Sequence, residues 1–250
     1  MTGFYRIIPT LLLKDKGVVK TTKFKNPKYI GDPINIVKIL NEKEADELCI
    51  LNIDRSRHDD EPDYRHLEEI VSEAFMPVAY GGGIKKIGEV EQLFKIGIEK
   101  VIINTHLFGN FKFIKELSEI FGSQSIVACV DTKKNLFGKY SIYSNSGTKK
   151  TKINLDQYID SIQKNGAGEL ILNSIDNDGM MKGYDIQIAN MVNSKISIPF
   201  ILLGGAGNKK DLISGINAGA SGVSAGSLFV YQGKHKAVLV SYIKNEDLFF

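Results

Sequence analysis

Short runs of consecutive apolar residues alternate along this chain with segments whose apolar residues recur every three or four positions. The runs are Arg6–Lys14, Leu48–Ile53, Pro77–Tyr80, Lys100–Asn104, a stretch from Ser125, Glu169–Asn173, Pro199–Leu203 and Gly222–Gly226. Continuous apolar runs of this length suit parallel strands buried on both faces. The segments between them read as helices. Asp32 followed by Pro33 marks one helix start, because a side-chain oxygen caps the first turn and proline fits the first helical position. Further helices are expected from about Asp63 to Ala74, up to Gly97, from Asn110 to Phe121, from Leu155 to Asn165, from Asp185, after Gly207 and from about Gly233. Lys14 to Ile30 reads as a long polar loop. Lys133 to Lys152 reads as a polar insertion, with a small hairpin around Lys139-Tyr140-Ser141-Ile142-Tyr143.

The pattern repeats. Ala45, Glu47, Leu48, Ile53 and Asp54 recur 122 residues later as Ala167, Glu169, Leu170, Ile175 and Asp176. Pro77, Gly82, Gly83 and Gly97 recur at the same offset as Pro199, Gly204, Gly205 and Gly219, and Asn104-Thr105 maps onto Gly226-Ser227. Two four-strand halves, about 1–122 and 123–250, would each leave open edges, and joining them removes those edges. The expectation is one α/β domain over residues 1–250, a single (βα)8 barrel built from two half-barrels. The length of 250 residues is usual for that fold.

Composition narrows the function classes. The net charge of +3 is spread along the chain and makes no case for nucleic acid. No apolar run reaches the length of a membrane span and no secretory signal is visible, so a cytoplasmic protein is expected. Cys49 and Cys129 lie far apart inside apolar runs, which suits buried free thiols. Neither metal nor cofactor is expected. His58 lies beside Asp59, Asp60 and Glu61, an acidic loop read as solvated.

In such barrels the active site lies at the C-terminal ends of the strands. Two glycine-rich turns fall there, Gly81-Gly82-Gly83 and Gly204-Gly205-Ala206-Gly207. Glycine lets backbone N–H groups approach an anion closely. Two such cradles across one mouth point to a substrate with a phosphate at each end. Among strand-end carboxylates, Asp131 and Asp176 are the candidate acids or bases, ahead of Asp54 and Asp178. The opening strand is a near-copy of the strand from Ser125, with Leu12 where the copy has Asp131. At the other end of the barrel, Arg6, Glu47, Lys100 and Glu169 begin strands. They either simply meet water or close a ring of salt bridges on the axis.

These stretches together resemble the cyclase subunit of imidazole glycerol phosphate synthase, the HisF family, over essentially the whole chain. The matching residues include Arg6-Ile7-Ile8-Pro9, Gly31-Asp32-Pro33, Gly81-Gly82-Gly83-Ile84, Gly166-Ala167-Gly168-Glu169, Ser174-Ile175-Asp176 and Gly183-Tyr184-Asp185. The resemblance implies a glutaminase (HisH-like) docked on the N-terminal barrel face. It also implies ammonia passing a charged gate of Arg6, Glu47, Lys100 and Glu169 to a phosphorylated small-molecule substrate at the top. It places phosphate binding on Lys20, Gly82, Gly83, Asn104 and Thr105, and on Gly204, Gly205, Gly226 and Ser227, with Asp131 catalytic.

One departure stands out. The family pattern Cys-Leu-Asp-Val-Lys is here Thr10-Leu11-Leu12-Leu13-Lys14, and leucine cannot transfer a proton. General acid–base help is typically worth about 10²–10⁴-fold. This variant looks like HisF paralogues associated with acetamidino modification of nucleotide-linked sugars for surface glycans such as O-antigen, which work with a glutaminase and a sugar amidotransferase. The alternatives are the histidine-pathway cyclase itself and a non-catalytic phosphosugar-binding scaffold.

Overall fold

The computed structural model describes residues 5–55 and 60–248. In chain order the elements are β1 (Arg6–Lys14), β2 (Gly17–Thr22), β3 (Lys25–Gly31), α1 (Pro33–Glu42), β4 (Leu48–Asn52), α2 (Tyr64–Val71), β5 (Val78–Gly81), α3 (Ile87–Lys95), β6 (Lys100–Ile103) and α4 (Lys112–Phe121). Then follow β7 (Ile126–Lys134), β8 (Tyr140–Ser144), β9 (Lys149–Lys150), α5 (Leu155–Lys164), β10 (Glu169–Ser174), α6 (Ile186–Asn193), β11 (Phe200–Leu203), α7 (Lys209–Asn217), β12 (Gly222–Ala225), α8 (Ser227–Val230), β13 (Tyr231–Gln232) and β14 (Ala237–Val238).

Eight parallel strands close on themselves in the order β1-β4-β5-β6-β7-β10-β11-β12, with β12 returning to β1. This is the expected α/β (βα)8 barrel. The strands read as unbroken apolar runs because each buries both faces. Ile7, Leu11 and Leu13 of β1 face the helix layer, whereas Ile8 joins Cys49, Ala79, Val127, Cys129, Ile171 and Ile201 inside the barrel. Helix starts follow local chemistry. The Asp32 carboxylate accepts from Asn35 N at 2.9 Å, and Asn154 with Gln157, and Asn208 with Asp211, form reciprocal capping boxes. No helix among the described residues is long and apolar enough to cross a membrane.

Two expected elements differ. Residues 14–30 form an antiparallel hairpin, β2–β3, rather than a loop. The β-branched run Val18-Val19-Lys20-Thr21-Thr22 favours strand, and β2 pairs with the upper end of β1. Its turn at Lys23 and Phe24 adopts positive φ at both residues and is held from across the mouth, since the Asp178 carboxylate accepts from Phe24 N and Thr21 Oγ1. The helix expected from Gly233 does not form. Residues 231–238 make the small hairpin β13–β14, turning at Gly233 with φ +69°. The segment beyond it reaches the lower ends of β1 and β4, where Tyr242 Oη donates to Ile7 O and accepts from Asp46 N. The hairpin expected near 139–143 is present, as β7 runs on past the barrel and pairs with β8.

Candidate functional site

The C-terminal ends of the barrel strands surround one cavity of about 540 Å³, within the range of small-ligand sites. Both glycine turns line it, as do Lys20, Asn104, Thr105, Asp131, Gly226 and Ser227. Gly82 (φ +145°) and Gly204 (φ +92°) occupy equivalent places. A Cβ would sit 2.8 Å from Asn52 O at the first and 2.7 Å from Ser174 O at the second, so each turn can pass its neighbouring strand end only as glycine. Gly83 and Gly205 follow, also at positive φ. Backbone packed this closely is what an anion cradle requires.

The two cradles carry different side chains. Thr105 Oγ1 accepts from Asn145 N at 3.0 Å, leaving its own O–H free to donate to a ligand. Lys20 serves the other side. Its Nζ donates to Thr10 O at 2.5 Å and fills the space beside Gly226 where a Cβ would stand. Burial lowers the Lys20 pKa to about 8, against the partial support of Asp178. An anion arriving there would restore the compensation that burial removed.

Asp131 is buried on the cavity floor. Its Oδ2 accepts from Asn104 Nδ2 at 2.7 Å and its Oδ1 from Asn173 Nδ2 at 3.0 Å. Desolvation pushes its pKa up to about 6, with the two amide donors pulling the other way. Such a group can exchange a proton near neutral pH. Asn173 had no motif to mark it in the sequence. The strand register exposes it, because Asn173 lies opposite Asp131 in β7–β10. The equivalent pair in β1–β4 is Leu12 opposite Leu51. One half of the floor is therefore polar, with Asn104, Asp131 and Asn173, and its repeat-related half is Gly226, Leu12 and Leu51, without a carboxylate.

Asp176 is not brought to the cavity. Its Oδ2 accepts from Lys134 N at 2.8 Å, outside the lining. Asp178, ranked lower in the sequence, does line it, and burial raises its pKa while bonds from Thr21 and Phe24 oppose the shift. Asp54 lies at the rim, paired to Lys14 at 2.8 Å. Both cysteines are buried and free, and burial pushes the Cys49 thiol up to about 12, so neither suits a nucleophile. No cluster of three metal-ligating side chains occurs among the described residues, and His58 and Asp59 of the acidic loop lie outside them.

At the opposite end of the barrel the four charged strand starts meet. Arg6 Nη1 lies 2.9 Å from Glu47 Oε2, and its Nη2 pairs with Glu169. Lys100 Nζ lies 2.9 Å from Glu47 Oε1 and 3.3 Å from Glu169 Oε2. Cations and anions alternate in a closed ring. Burial works against the Arg6 charge, yet the Glu169 and Glu47 carboxylates outweigh it and hold the guanidinium above its ordinary value. Above the ring is a void of about 10 Å³ bounded by Ile8, Cys49, Ile171 and Ser224 among others, no larger than a single water. Ser224 Oγ contacts Thr10 Oγ1 at 2.5 Å, and Thr10 in turn lines the upper cavity. Between ring and floor the interior is mainly apolar, with the hydroxyls of Thr10 and Ser224 as buried polar groups.

Comparison with known proteins agrees with this architecture. The family model for histidine biosynthesis proteins matches residues 6–236. A Pseudomonas aeruginosa protein provisionally named imidazole glycerol phosphate synthase subunit hisF2 is 48% identical over 95% of both chains. A Vibrio vulnificus protein provisionally named subunit hisF3 of the same synthase is 49% identical, over 95% of this chain and 92% of its own. The imidazole glycerol phosphate synthase subunit HisF of Petrotoga mobilis is 36% identical over 90% of both. A barrel with these matches along nearly its whole length belongs to the histidine biosynthesis protein family, as a HisF-like synthase subunit.

Proposed function

We propose that this subunit receives ammonia from a glutaminase docked on the N-terminal barrel face and delivers it through the barrel to a phosphorylated substrate in the upper cavity. The product would serve acetamidino modification of a nucleotide-linked sugar, with a sugar amidotransferase as the further partner. The observation that carries this reading is the combination of a closed four-charge ring at the bottom with a top-face floor that holds Asp131 and lacks its repeat-related carboxylate. On this reading the parts that would deliver ammonia are kept, whereas the carboxylate pair that the resemblance implies for the ring-forming reaction is reduced to one. In this reading Arg6, Glu47, Lys100 and Glu169 gate ammonia, Lys20 and the two glycine turns hold phosphate, and Asp131 moves protons. Leu136 and Phe137, fully exposed on the turn between β7 and β8, give the top face an apolar projection suited to a partner there.

The test is a mixture of the purified chain with its cognate glutaminase. Glutamine hydrolysis should rise on complex formation. Lys100→Ala and Glu169→Ala should alter how much of the ammonia formed is passed to an acceptor rather than lost to solvent. Absence of both complex and stimulation would overturn the proposal.

The histidine-pathway cyclase is the second reading, favoured by the name of the Petrotoga mobilis relative. Complementation of a histidine auxotroph separates the two. On the first reading the wild-type chain fails to support growth. Growth with the wild-type chain would establish the second.

A further inference from the structure

The two glycine turns are alike in backbone but completed by different side chains. Each runs into a helix start that is already occupied. Glu89 Oε2 accepts from Lys85 N at 2.7 Å and Lys86 N at 3.0 Å. Asp211 Oδ2 accepts from Gly207 N at 2.8 Å and Asn208 N at 3.2 Å. Those N–H groups are closed to a ligand, and each carboxylate offsets the positive end of its helix. Further donors to a bound anion must therefore come from side chains. Near the Gly204 turn that donor is Lys20, packed beside Gly226.

The Gly81–Gly83 side has His106 instead. In the second half Ser227 is followed directly by Leu228-Phe229, whereas His106 separates Thr105 from Leu107-Phe108. Leu107 and Leu228 are both buried in the core, while the extra residue, His106, borders the cavity with Gly83 and Thr105. Its ring meets Phe113 edge-on, with centroids 4.8 Å apart. Its Nε2 lies 3.3 Å from Asn110 Nδ2. An amide nitrogen only donates, so Nε2 accepts and the ring proton sits on Nδ1. Among the described residues Nδ1 has no hydrogen-bond partner. Burial and the nearby Lys85 hold the His106 pKa below its ordinary value, with Glu89 and Glu116 opposing. A bound anion would add to that opposition and favour the imidazolium.

We infer that His106 is a specificity-determining residue of the first cradle, donating from Nδ1 to a phosphate monoester held by the Gly81–Gly83 turn and Thr105. Turn amides, the Thr105 hydroxyl and the imidazole make three kinds of donor around one position. A monoester presents three free oxygens to such a set, whereas a phosphodiester presents two. The inference rests on the proposed function for phosphate as the ligand of the turns, and adds that the substrate carries a terminal phosphate at this end.

The test is an NMR titration of the labelled full chain with methyl phosphate as its dianion, and separately with dimethyl phosphate, at constant pH and ionic strength. The signals are the backbone amides of Gly82, Gly83, Gly204 and Gly205 and the His106 ring. Methyl phosphate should shift Gly82, Gly83 and the His106 ring along one saturation curve, and dimethyl phosphate should not saturate there. His106→Leu keeps apolar packing on Phe113 but has no N–H. It should weaken binding at Gly82 and Gly83 about tenfold, the worth of one hydrogen bond to a charged partner, and leave Gly204 and Gly205 unchanged. His106→Gln, which keeps an N–H, should recover most of that affinity. Equal loss at both turns, or loss at neither, would overturn the inference. So would equal binding of the diester, or a His106 ring that stays unmoved while Gly82 and Gly83 saturate. Silence at all four glycines would overturn the phosphate reading of the turns as well, which separates the two failures.

Discussion

Asp131 is where stability and function pull apart. Its folded-state pKa, about 6, lies above the ordinary carboxylate value. Between those two values the folded chain binds more protons than the unfolded one, so stability falls as pH rises through that window. Above about pH 6 the buried charge costs roughly 3 kcal/mol. Asp131→Asn removes that charge, and either neighbouring amide can turn to meet the new donor with its orphaned oxygen. The variant should melt higher than wild type at neutral pH by thermal denaturation, and the gain should fade towards pH 4. An unchanged or lower melting temperature at neutral pH would contradict the assigned burial. Lys20 shows the converse case. Burial lowers its pKa to about 8, so binding of inorganic phosphate to the cradle beside Gly226 should weaken as pH rises through about 8. Lys20→Met should flatten that pH dependence in a calorimetric titration. At Leu12 the absent carboxylate is the testable feature. Leu12→Asp restores the pair of acids that the repeat would otherwise provide. If loss of that group is what separates this chain from a ring-forming cyclase, the variant should gain complementation of a histidine auxotroph that wild type lacks.

Among the elements, the β2–β3 hairpin matters most. It extends β1 over the mouth and delivers Lys20, and its turn is fixed mainly by one residue from the other side of the barrel, Asp178. In sequence this segment reads as a polar loop, and neither its pairing nor this anchorage is written in it locally. Asp178→Ala removes two hydrogen bonds to a half-buried carboxylate, about 2 kcal/mol of local stability. Amide exchange at residues 21–24 should accelerate while the barrel strands stay protected. Phosphate affinity should fall with it if Lys20 depends on the hairpin for its position. Acceleration spread evenly over the barrel would instead mean that Asp178 supports the whole fold. The hairpin meets the second top-face excursion as well, since a Cβ on Gly147 would lie 2.9 Å from Phe24 Cδ2. Ser146 Oγ from that same turn donates to Ile53 O at 2.8 Å. The mouth is therefore framed by two hairpins tied to each other and to the barrel rim.

For the whole molecule, the arrangement has one charged plug at the bottom, a mainly apolar interior and one cavity of mixed lining at the top. Glu47 and Glu169 are 4% and 5% exposed whereas Arg6 and Lys100 are half-buried, so the ring is a partly buried network, where loss of one member strands the charges of its partners. Glu169→Gln should destabilise the chain by about 3 kcal/mol in urea unfolding. A loss below about 0.5 kcal/mol, the size of an exposed pair, would mean that the ring is solvated. Arg6, the first residue of β1, and the C-terminal segment through Tyr242 meet near this plug, so both ends of the described chain converge on the bottom face.

The strand–helix alternation, the closed barrel, the two glycine turns and the charged strand starts were all legible in the sequence. They depend on short-range rules: apolar periodicity, capping chemistry and a repeat offset that carries equivalent residues to equivalent places. Other features were decided by tertiary structure. The fourfold ring existed in sequence only as four separated charges, because nothing local says that strands distant in the chain begin at one level. Asn173 became visible only through the β7–β10 register, which sets it against Asp131. Asp178 and Asp176 are two residues apart, and only the path of that loop decides which one faces the cavity. The first polar segment became a hairpin because the upper end of β1 beside it offered an edge and Asp178, far from it in sequence, held its turn. Composition and periodicity determine which faces are buried, whereas hydrogen-bond partners across a closed barrel are fixed by geometry that the chain acquires only on closing.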